Sequence, residues 1–479
     1  MVNFQQAYSQ SSWSLKTAWP IARYICLVFV LYLIYLPFSG YNELIWDAKQ
    51  YWEAVSRFFL NKSSFSLLNY NFIFRGYMGP LLVMPVRVVC TVLNLDPMYG
   101  SKLIGMVWAA ILFGFAIPKL WQVTTGVQLI ANRWLLLTTL CFVFWGDYFN
   151  YCLQDFPAFT ILLLALIALS KPKLVWIGYG GVLLAMCINM RPIYMASIPG
   201  VLGWFWWQTQ RNEKTAVTIT WWAQSILVFV LGIILVLLPQ ILINYRHFHQ
   251  LSPFVLVNTN QHLPFYLIQL NWGLAYQRYD TSTNPLHFGA VFYGDREGVR
   301  ELAAQTKGYF ESYGAFAKYF LTHPLAGIGH YLRHLFNGLD VDYRAPYPAK
   351  IVAGHITGLQ LLNYNVVTLG IVWLAYQARK SFQQVNYNRS AVLWLVVVLL
   401  IPVAIAIPTA VEVRFLIPLH LLLLASASAA LCSFKWRQQT LSTYLAIGAV
   451  IVVVTWGGSR FSANTQAQLL SPNTAVTDY

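Results

Sequence analysis

The chain has 479 residues, of which 58% are hydrophobic and only 10% are charged. A soluble protein has about 25% charged residues, so the composition excludes a soluble globular enzyme and predicts an integral membrane protein in contact with membrane lipids. The formal net charge of +15 does not indicate a nucleic-acid partner. The Lys and Arg residues lie mainly in short loops between apolar runs, where topology and anionic lipid headgroups account for them.

Eleven apolar runs are close to the ~20 residues that a helix needs to cross the hydrocarbon of a bilayer. They are residues 21–38, 102–121, 133–149, 156–170, 174–190, 192–208, 217–243, 351–377, 390–409, 413–433 and 440–457. The pattern predicts an all-α integral membrane protein, a polytopic bundle of about 11 transmembrane helices. Basic clusters in the short loops mark the cytoplasmic side, and the first run is predicted to be a retained signal anchor.

One further apolar run, residues 77–95, is not counted as a span. Two prolines and Arg87 interrupt it, and counting it would turn nearly every later basic loop outward. We expect it to lie in the outer interface. Two large extracytoplasmic loops with juxtamembrane helices then result, at residues 39–101 and 244–350.

The spans and loops divide the chain into five regions. In order, they are a cytoplasmic N-terminus, a seven-span module that includes the first outer loop, a large extracytoplasmic loop, a four-span region and a polar tail. Their bounds are 1–20, 21–243, 244–350, 351–457 and 458–479. The tail is polar enough for us to expect disorder.

Charged residues at the outer ends of the spans are the strongest indication of a functional site. A charge at membrane depth is costly unless it is paired or hydrated. These residues are Asp47, Asp147, Asp155, Arg191, Glu412 and Arg414. Their occurrence on one face predicts a shared aqueous cavity, whereas each alone could be an interfacial or helix-end ion pair.

The first outer loop also contains a candidate phosphate-binding arginine. Arg75 stands beside a glycine-containing turn and Tyr77, and a guanidinium can hold a phosphate through two parallel hydrogen bonds. An ordinary interfacial arginine is the alternative.

Histidines in the long loop give only a weak metal pattern. His247, His249 and His262 lack flanking carboxylates or an HExxH motif. The chain also has no P-loop, no dinucleotide-binding glycine motif and no GxSxG sequence, so nucleotide-driven transport and serine hydrolysis have no support.

The pattern resembles the GT-C superfamily of membrane glycosyltransferases, which use polyprenyl-phosphate sugars, and within it the bacterial aminoarabinose transferase and protein O-mannosyltransferase branch. The resemblance covers roughly residues 21–433 and depends on the order and spacing of several elements. These are Asp47 with Tyr51, Arg75 to Pro80, Asp155, Arg191-Pro192, Asn244-Tyr-Arg with Pro253 and Asn258-Thr-Asn260, Thr-His323-Pro324, and Glu412-Val-Arg414-Phe with Pro418.

The resemblance implies transfer of a sugar to a glycan, lipid or protein acceptor at the outer face of a bacterial plasma membrane. Asp47 would be the base, and a divalent metal ion between Asp47 and Asp155 is an option. The implied site residues are Asp47 and Asp155 as catalytic groups, Arg75, Arg191, Tyr51, Tyr77 and Arg414 as lipid-phosphate or donor contacts, and Asn244, Asn258, His262 and Asp147 as acceptor or sugar contacts.

Departures from the family pattern leave the acceptor open. Ala48 stands where the mannosyltransferases have a second acid. Two other functions remain as alternatives. A polysaccharide polymerase or O-antigen ligase-like enzyme would also use Arg and His in large outer loops. A secondary transporter would show inverted repeats, and no internal repeat is visible in the sequence.

Overall fold

The computed structural model describes residues 15–60, 64–210, 218–256, 263–284, 288–349, 356–383, 388–434 and 440–470. This part of the chain is mostly helical. The helices of the first half are α1 (Leu15–Tyr35), α2 (Trp46–Ala54), α3 (Met78–Val92), α4 (Pro97–Ala109), α5 (Ile117–Thr125), α6 (Ala131–Trp145), α7 (Asp155–Leu169), α8 (Leu174–Met190), α9 (Ile198–Gln210) and α10 (Ile219–Phe248). A π-helical stretch, Ala110–Ala116, joins α4 to α5.

The second half begins with the large loop and ends with four long helices. Its helices are α11 (Phe265–Ala275), α12 (Arg296–Ala303), α13 (Tyr313–Thr322), α14 (Pro324–Leu339), α15 (Gly358–Gln383), α16 (Asn388–Ala406), α17 (Ile417–Ser433) and α18 (Leu441–Gln466). Short 3₁₀ turns lie at Leu36–Phe38, Val55–Phe58, Leu67–Asn69, Gly146–Asn150, Pro192–Ser197 and Val413–Leu416.

The described helices support a polytopic membrane protein. Six stretches are long and apolar enough to cross a bilayer, namely Ile21–Phe38, Pro97–Thr125, Ile219–Phe248, Gly358–Arg379, Val413–Ser433 and Leu441–Gln466. There is a seventh if α6 and α7, which are bent by 119° relative to each other, form one broken span. The prediction of a helical membrane protein is therefore confirmed in its coarser form.

The count of eleven spans is not confirmed by helix length. The other five predicted runs are helical, but they form the shorter helices α6, α7, α8, α9 and α16. With 15 residues, α7 is about 22 Å long, which is less than the ~30 Å of hydrocarbon.

The run at 77–95 forms α3, which also has 15 residues and is too short to cross a bilayer unaided. Arg87 lies on this helix, and its guanidinium donates to the backbone oxygens of Trp52 and Glu53 at the end of α2. The charge that interrupts the apolar run thus attaches α3 to α2 within the first outer loop.

The large loop contains a β-hairpin that the helical prediction did not include. Strands β3 (Tyr276–Ser282) and β4 (Gly289–Gly294) pair antiparallel, and a shorter pair, β1 (Phe59–Leu60) and β2 (Ser64–Phe65), precedes them in the chain. After α18 the backbone continues beside β4, where Leu470 N donates to Phe292 O at 3.0 Å. The prediction of disorder for the tail is therefore wrong for residues 458–470.

Glycines allow α8 and α10 to pack closely. A Cβ at Gly181 would lie 2.2 Å from Phe229 O, and a Cβ at Gly232 would lie 2.3 Å from Gly178 O. Small residues permit such backbone contact between helices in membranes. Side chains larger than hydrogen at these positions would push the helices apart.

We expect Gly232→Ala to destabilise the fold by about 1–3 kcal/mol, the usual cost of overpacking. The matched control is Gly448→Ala, because a Cβ at Gly448 on α18 has no neighbour within 4 Å. The measurement is the temperature at which purified protein in detergent loses its monodisperse elution. Equal behaviour of the two variants would contradict the packing described above.

Candidate functional site

Six charged side chains from distant parts of the sequence meet in one cluster, called the ion cluster below. Two of its acids stand in the first turns of helices α2 and α7, where the helix dipole favours negative charge. The members are Asp47, Arg75, Asp155, Arg191, Glu412 and Arg414. Sequence analysis singled out all six, and five of them stand in the resemblance-derived site.

Arg414 is the centre of the ion cluster. Its Nη2 lies 3.0 Å from Asp47 Oδ2, its Nε lies 2.7 Å from Glu412 Oε2, and its Nη1 lies 3.7 Å from Asp155 Oδ2. One guanidinium therefore links α2, α7 and the segment between α16 and α17.

Two further arginines complete the ion cluster. Arg75 Nη2 lies 2.5 Å from Asp47 Oδ1, and Arg191 Nη2 pairs with Asp155 Oδ1. Three arginines and three carboxylates give a formal charge of zero, which is how buried charges are tolerated.

The ion cluster has a partly exposed side. The side chains of Arg75, Asp47 and Arg191 are 23%, 21% and 19% exposed, whereas Asp155 and Arg414 are only 4% and 6% exposed. A ligand approaching from solution would therefore meet the Asp47 carboxylate and the guanidinium groups of Arg75 and Arg191.

Aromatic rings surround these charges. The guanidinium carbon of Arg75 lies 5.0 Å from the ring centre of the buried Tyr51, and that of Arg191 lies 5.9 Å from the ring centre of Phe415. The Tyr347 hydroxyl accepts a hydrogen bond from Ala48 N at 3.3 Å. Tyr51 thus lies beneath Arg75 rather than in the opening, and its contact with the donor stays a prediction.

Burial and the neighbouring arginines shift the pKa values of two carboxylates. Burial alone would raise the pKa of Asp47, but Arg414 and Arg75 lower it below its ordinary value. Burial raises the pKa of Glu412 to about 7, although Arg414 acts in the opposite direction. Asp47 is consequently ionised at neutral pH, and it is a weak base as long as both arginines hold it.

The turn that carries Arg75 is held by buried amides. Asn189 Oδ1 accepts from Met78 N at 3.0 Å, and Gln240 Oε1 accepts from Asn189 Nδ2 at 2.9 Å. A Cβ at Gly76 would lie 2.0 Å from Asn189 O, so only glycine permits this close approach.

Tyr77 and Asn244 belong to this support rather than to the ion cluster. The Tyr77 hydroxyl donates to Val236 O at 2.9 Å. Asn244 Oδ1 accepts from Gln240 Nε2 at 2.9 Å, and its Nδ2 donates to Ser252 O at 2.7 Å. Both side chains hold backbone segments in place. Contacts of these two side chains with a sugar or a phosphate stay predictions.

Asp147 lies in a separate cluster. Its carboxylate accepts from the Tyr35 hydroxyl and from the Tyr41 hydroxyl, the latter at 3.4 Å, and lies 4.0 Å from Arg344 Nε. The other two predicted acceptor contacts, Asn258 and His262, lie outside the described residues.

The described residues do not favour a metal ion at the predicted position. A guanidinium, that of Arg414, already bridges Asp47 and Asp155 and supplies the positive charge that a divalent cation would bring. Within the described ranges, no group of three or more His, Cys, Asp or Glu side chains is arranged to hold a metal. His247 Nε2 lies 2.9 Å from Leu68 O.

Sequence analysis missed the supporting amides and a second buried ion cluster. Asn189 and Gln240 were visible as polar residues inside apolar runs, which is a usable signal. In the second cluster, Arg278 lies 3.0 Å from Asp280, 3.8 Å from Asp340 and 2.7 Å from Asp342. These acids are scattered over a polar loop, and nothing in their spacing indicated a common partner.

No protein-family profile, no curated protein and no solved structure matches this chain.

The second buried ion cluster, in which Arg278 faces three acids, makes the stability of the fold depend on pH. Burial raises the pKa of Asp342 to about 8, with Asp340 and Asp280 adding to the rise and Arg278 opposing it. The folded state thus retains a proton that the unfolded chain releases near pH 4. The stabilisation from this proton is complete below about pH 4 and is lost as the pH rises to about 8.

We therefore expect the free energy of unfolding of the wild type to decrease between pH 5 and pH 8. The Asp342→Asn variant, whose amide cannot ionise, should lose less stability over the same range. Thermal unfolding of the purified protein at several pH values measures this. Parallel curves for the two proteins would show that Asp342 does not retain the proton.

Proposed function

We propose that this protein is a GT-C type membrane glycosyltransferase that transfers a sugar from a polyprenyl-phosphate donor to an acceptor hydroxyl. The observation that carries the proposal is the partly exposed Asp47, which pairs with Arg75 and Arg414, next to the partly exposed Arg191 that pairs with Asp155. A general base and two anion-binding groups in one opening are what this reaction requires.

The arginines would bind the phosphate of the donor. Within the described part of the chain, Arg75 Nε and Arg414 Nη1 are buried donors that have no hydrogen-bond acceptor. Unsatisfied guanidinium N–H groups are costly, and phosphate oxygens satisfy them well. The negative charge that develops on the departing polyprenyl phosphate would be stabilised here.

In the proposed step, the acceptor oxygen attacks the anomeric carbon and the bond from that carbon to the phosphate oxygen breaks. The acceptor proton passes to Asp47, and polyprenyl phosphate leaves with the electron pair. A single displacement of this kind inverts the anomeric carbon. Asp155 holds Arg191 and Arg414 in position and does not itself need to touch substrate.

Donor binding would also activate the base. A phosphate that draws Arg75 towards itself removes one positive partner from Asp47. The pKa of Asp47 would then rise, and its carboxylate would become a better proton acceptor. The resting ion pair thus keeps the base weak until the donor arrives.

We also propose that the chain crosses the membrane eleven times. In this topology α3 lies in the outer interface, and the ion cluster faces the periplasm or cell exterior. Each predicted run contains a described helix. The short helices can complete a crossing if the non-helical backbone at their ends is covered by protein. The segment from Tyr151 to Gln154, between α6 and α7, is buried in this way. The basic loops then all face the cytoplasm.

Thr91→Cys and Gln128→Cys test this topology, in a background where the exposed Cys26 and Cys432 are replaced by serine. Both substituted positions are exposed. An impermeant thiol reagent added to intact cells should label position 91 and not position 128. Labelling of position 128 from outside would mean that α3 crosses the membrane.

Asp47→Asn tests the catalytic proposal. The amide still accepts hydrogen bonds from the arginines but cannot take a proton at neutral pH, so transfer should fall by at least ~100-fold. The measurement is sugar transfer from a defined polyprenyl-phosphate sugar to acceptors in membrane extract by purified protein, together with donor binding.

The matched control is Glu53→Gln on the same helix. Glu53 is 62% exposed and pairs with Lys49 at 3.9 Å, so its loss should change transfer little. Normal elution on size exclusion excludes misfolding as the cause. If Asp47→Asn transfers sugar at a near wild-type rate, Asp47 is not the base.

A further inference from the structure

A cavity of about 240 Å³ lies apart from the ion cluster, where α12 and α14 meet the C-terminal end of α18. Its floor consists of Gln277, Asn337 and Thr465, all buried. Phe336 and Phe461 form part of its wall.

The floor of the cavity is fixed by hydrogen bonds among its own polar groups. Thr465 Oγ1 donates to Asn337 Oδ1 at 2.8 Å, Asn337 Nδ2 donates to Gln277 Oε1 at 3.3 Å, and Gln277 Nε2 donates to Gly294 O at 2.9 Å. Amide and hydroxyl groups have more hydrogen-bonding positions than these contacts use. The floor therefore presents donors and acceptors in set places.

The charges that line the cavity cancel. Asp295 and Glu297 are balanced by Arg296 and Arg333, and Arg333 Nη2 lies 2.9 Å from Asp295 Oδ2 and 3.0 Å from Glu297 Oε2. A cavity with balanced and mutually paired charges has no net attraction for an anion or a cation. Its ligand should be neutral and rich in hydrogen-bonding groups.

The rim adds an apolar surface. The Phe461 side chain is 59% exposed, and its ring centre lies 5.5 Å from that of Phe336. The negative face of a phenyl ring favours weakly positive C–H groups. Asn464, which is also exposed, lines the same side.

We infer that this cavity binds one sugar unit of a neutral saccharide. A sugar ring has hydroxyls at its edge for the amides and the carboxylate–arginine pair, and a C–H face for Phe461. The volume is below the ~300 Å³ at which cavities begin to hold drug-sized ligands, so it suits a single ring.

The cavity is connected to the proposed transfer site through strand β3. Gln277 in its floor and Tyr279, which interacts with Glu412 of the ion cluster, are two residues apart on β3. That separation is about 7 Å along a strand. The bound sugar would then be a unit of the acceptor, an assignment that rests on the proposed function, whereas the binding itself does not.

Binding of methyl glycosides to the purified full-length chain in detergent tests the inference. A panel of neutral methyl hexosides and a methyl N-acetylhexosaminide is compared with methyl glucuronide by saturation-transfer NMR and equilibrium dialysis. At least one neutral glycoside should bind at millimolar concentration. Phe461→Ala should weaken it roughly 2- to 10-fold, and Asn464→Ala by about 5-fold.

The control variant is Phe265→Ala, which replaces an exposed phenylalanine at the start of α11 that does not line the cavity. It should bind the glycoside as the wild type does. Absence of binding, preference for the glucuronide, or equal affinity in Phe461→Ala, Asn464→Ala and Phe265→Ala would overturn the inference. Asp47→Asn should bind the glycoside normally, so failure of transfer and failure of the cavity can be told apart.

Discussion

The site depends on the buried guanidinium of Arg414. Removing an arginine from water costs several kcal/mol unless carboxylates and hydrogen bonds compensate, and here Asp47, Glu412 and Asp155 all lie within 4.0 Å of it. The compensation comes from three distant parts of the sequence. The connection between α16 and α17 is therefore held against α2 and α7, and the opening with Arg75 and Arg191 forms at their junction.

The neutral amides have a comparable role on the other side of Asp47. The series Asn189, Gln240 and Asn244 runs from α8 to α10 through hydrogen bonds of 2.9 Å. At its α8 end, Asn189 accepts from Met78 N on the turn after Arg75. Buried amides that are mutually satisfied fix backbone precisely without adding charge. Arg75 thus reaches Asp47 from a rigid turn, although it stands in a long loop.

The sequence predicted the helical membrane class and the residues of the ion cluster, because hydropathy and the cost of membrane charges are local signals. It could not predict that Arg414 lies between Asp47 and Asp155, since pairing is a long-range property. The β3–β4 hairpin was missed because the buried face of β3 carries the polar residues Arg278, Asp280 and Ser282, so the sequence lacks the alternation of apolar and polar residues that marks a strand. Helix lengths such as that of α7 depend on caps and bends that hydropathy does not encode.

The neutrality of the ion cluster affects how substitutions in it are to be interpreted. Removing Arg191 alone leaves Asp155, which is 4% exposed, with one arginine fewer, so lost activity would mix catalysis with an uncompensated buried charge. Replacing both members of the pair restores electroneutrality. Only thermodynamic coupling from double-mutant cycles separates the two contributions. For Arg191 and Asp155, an effect on activity is therefore a property of the pair rather than of either side chain.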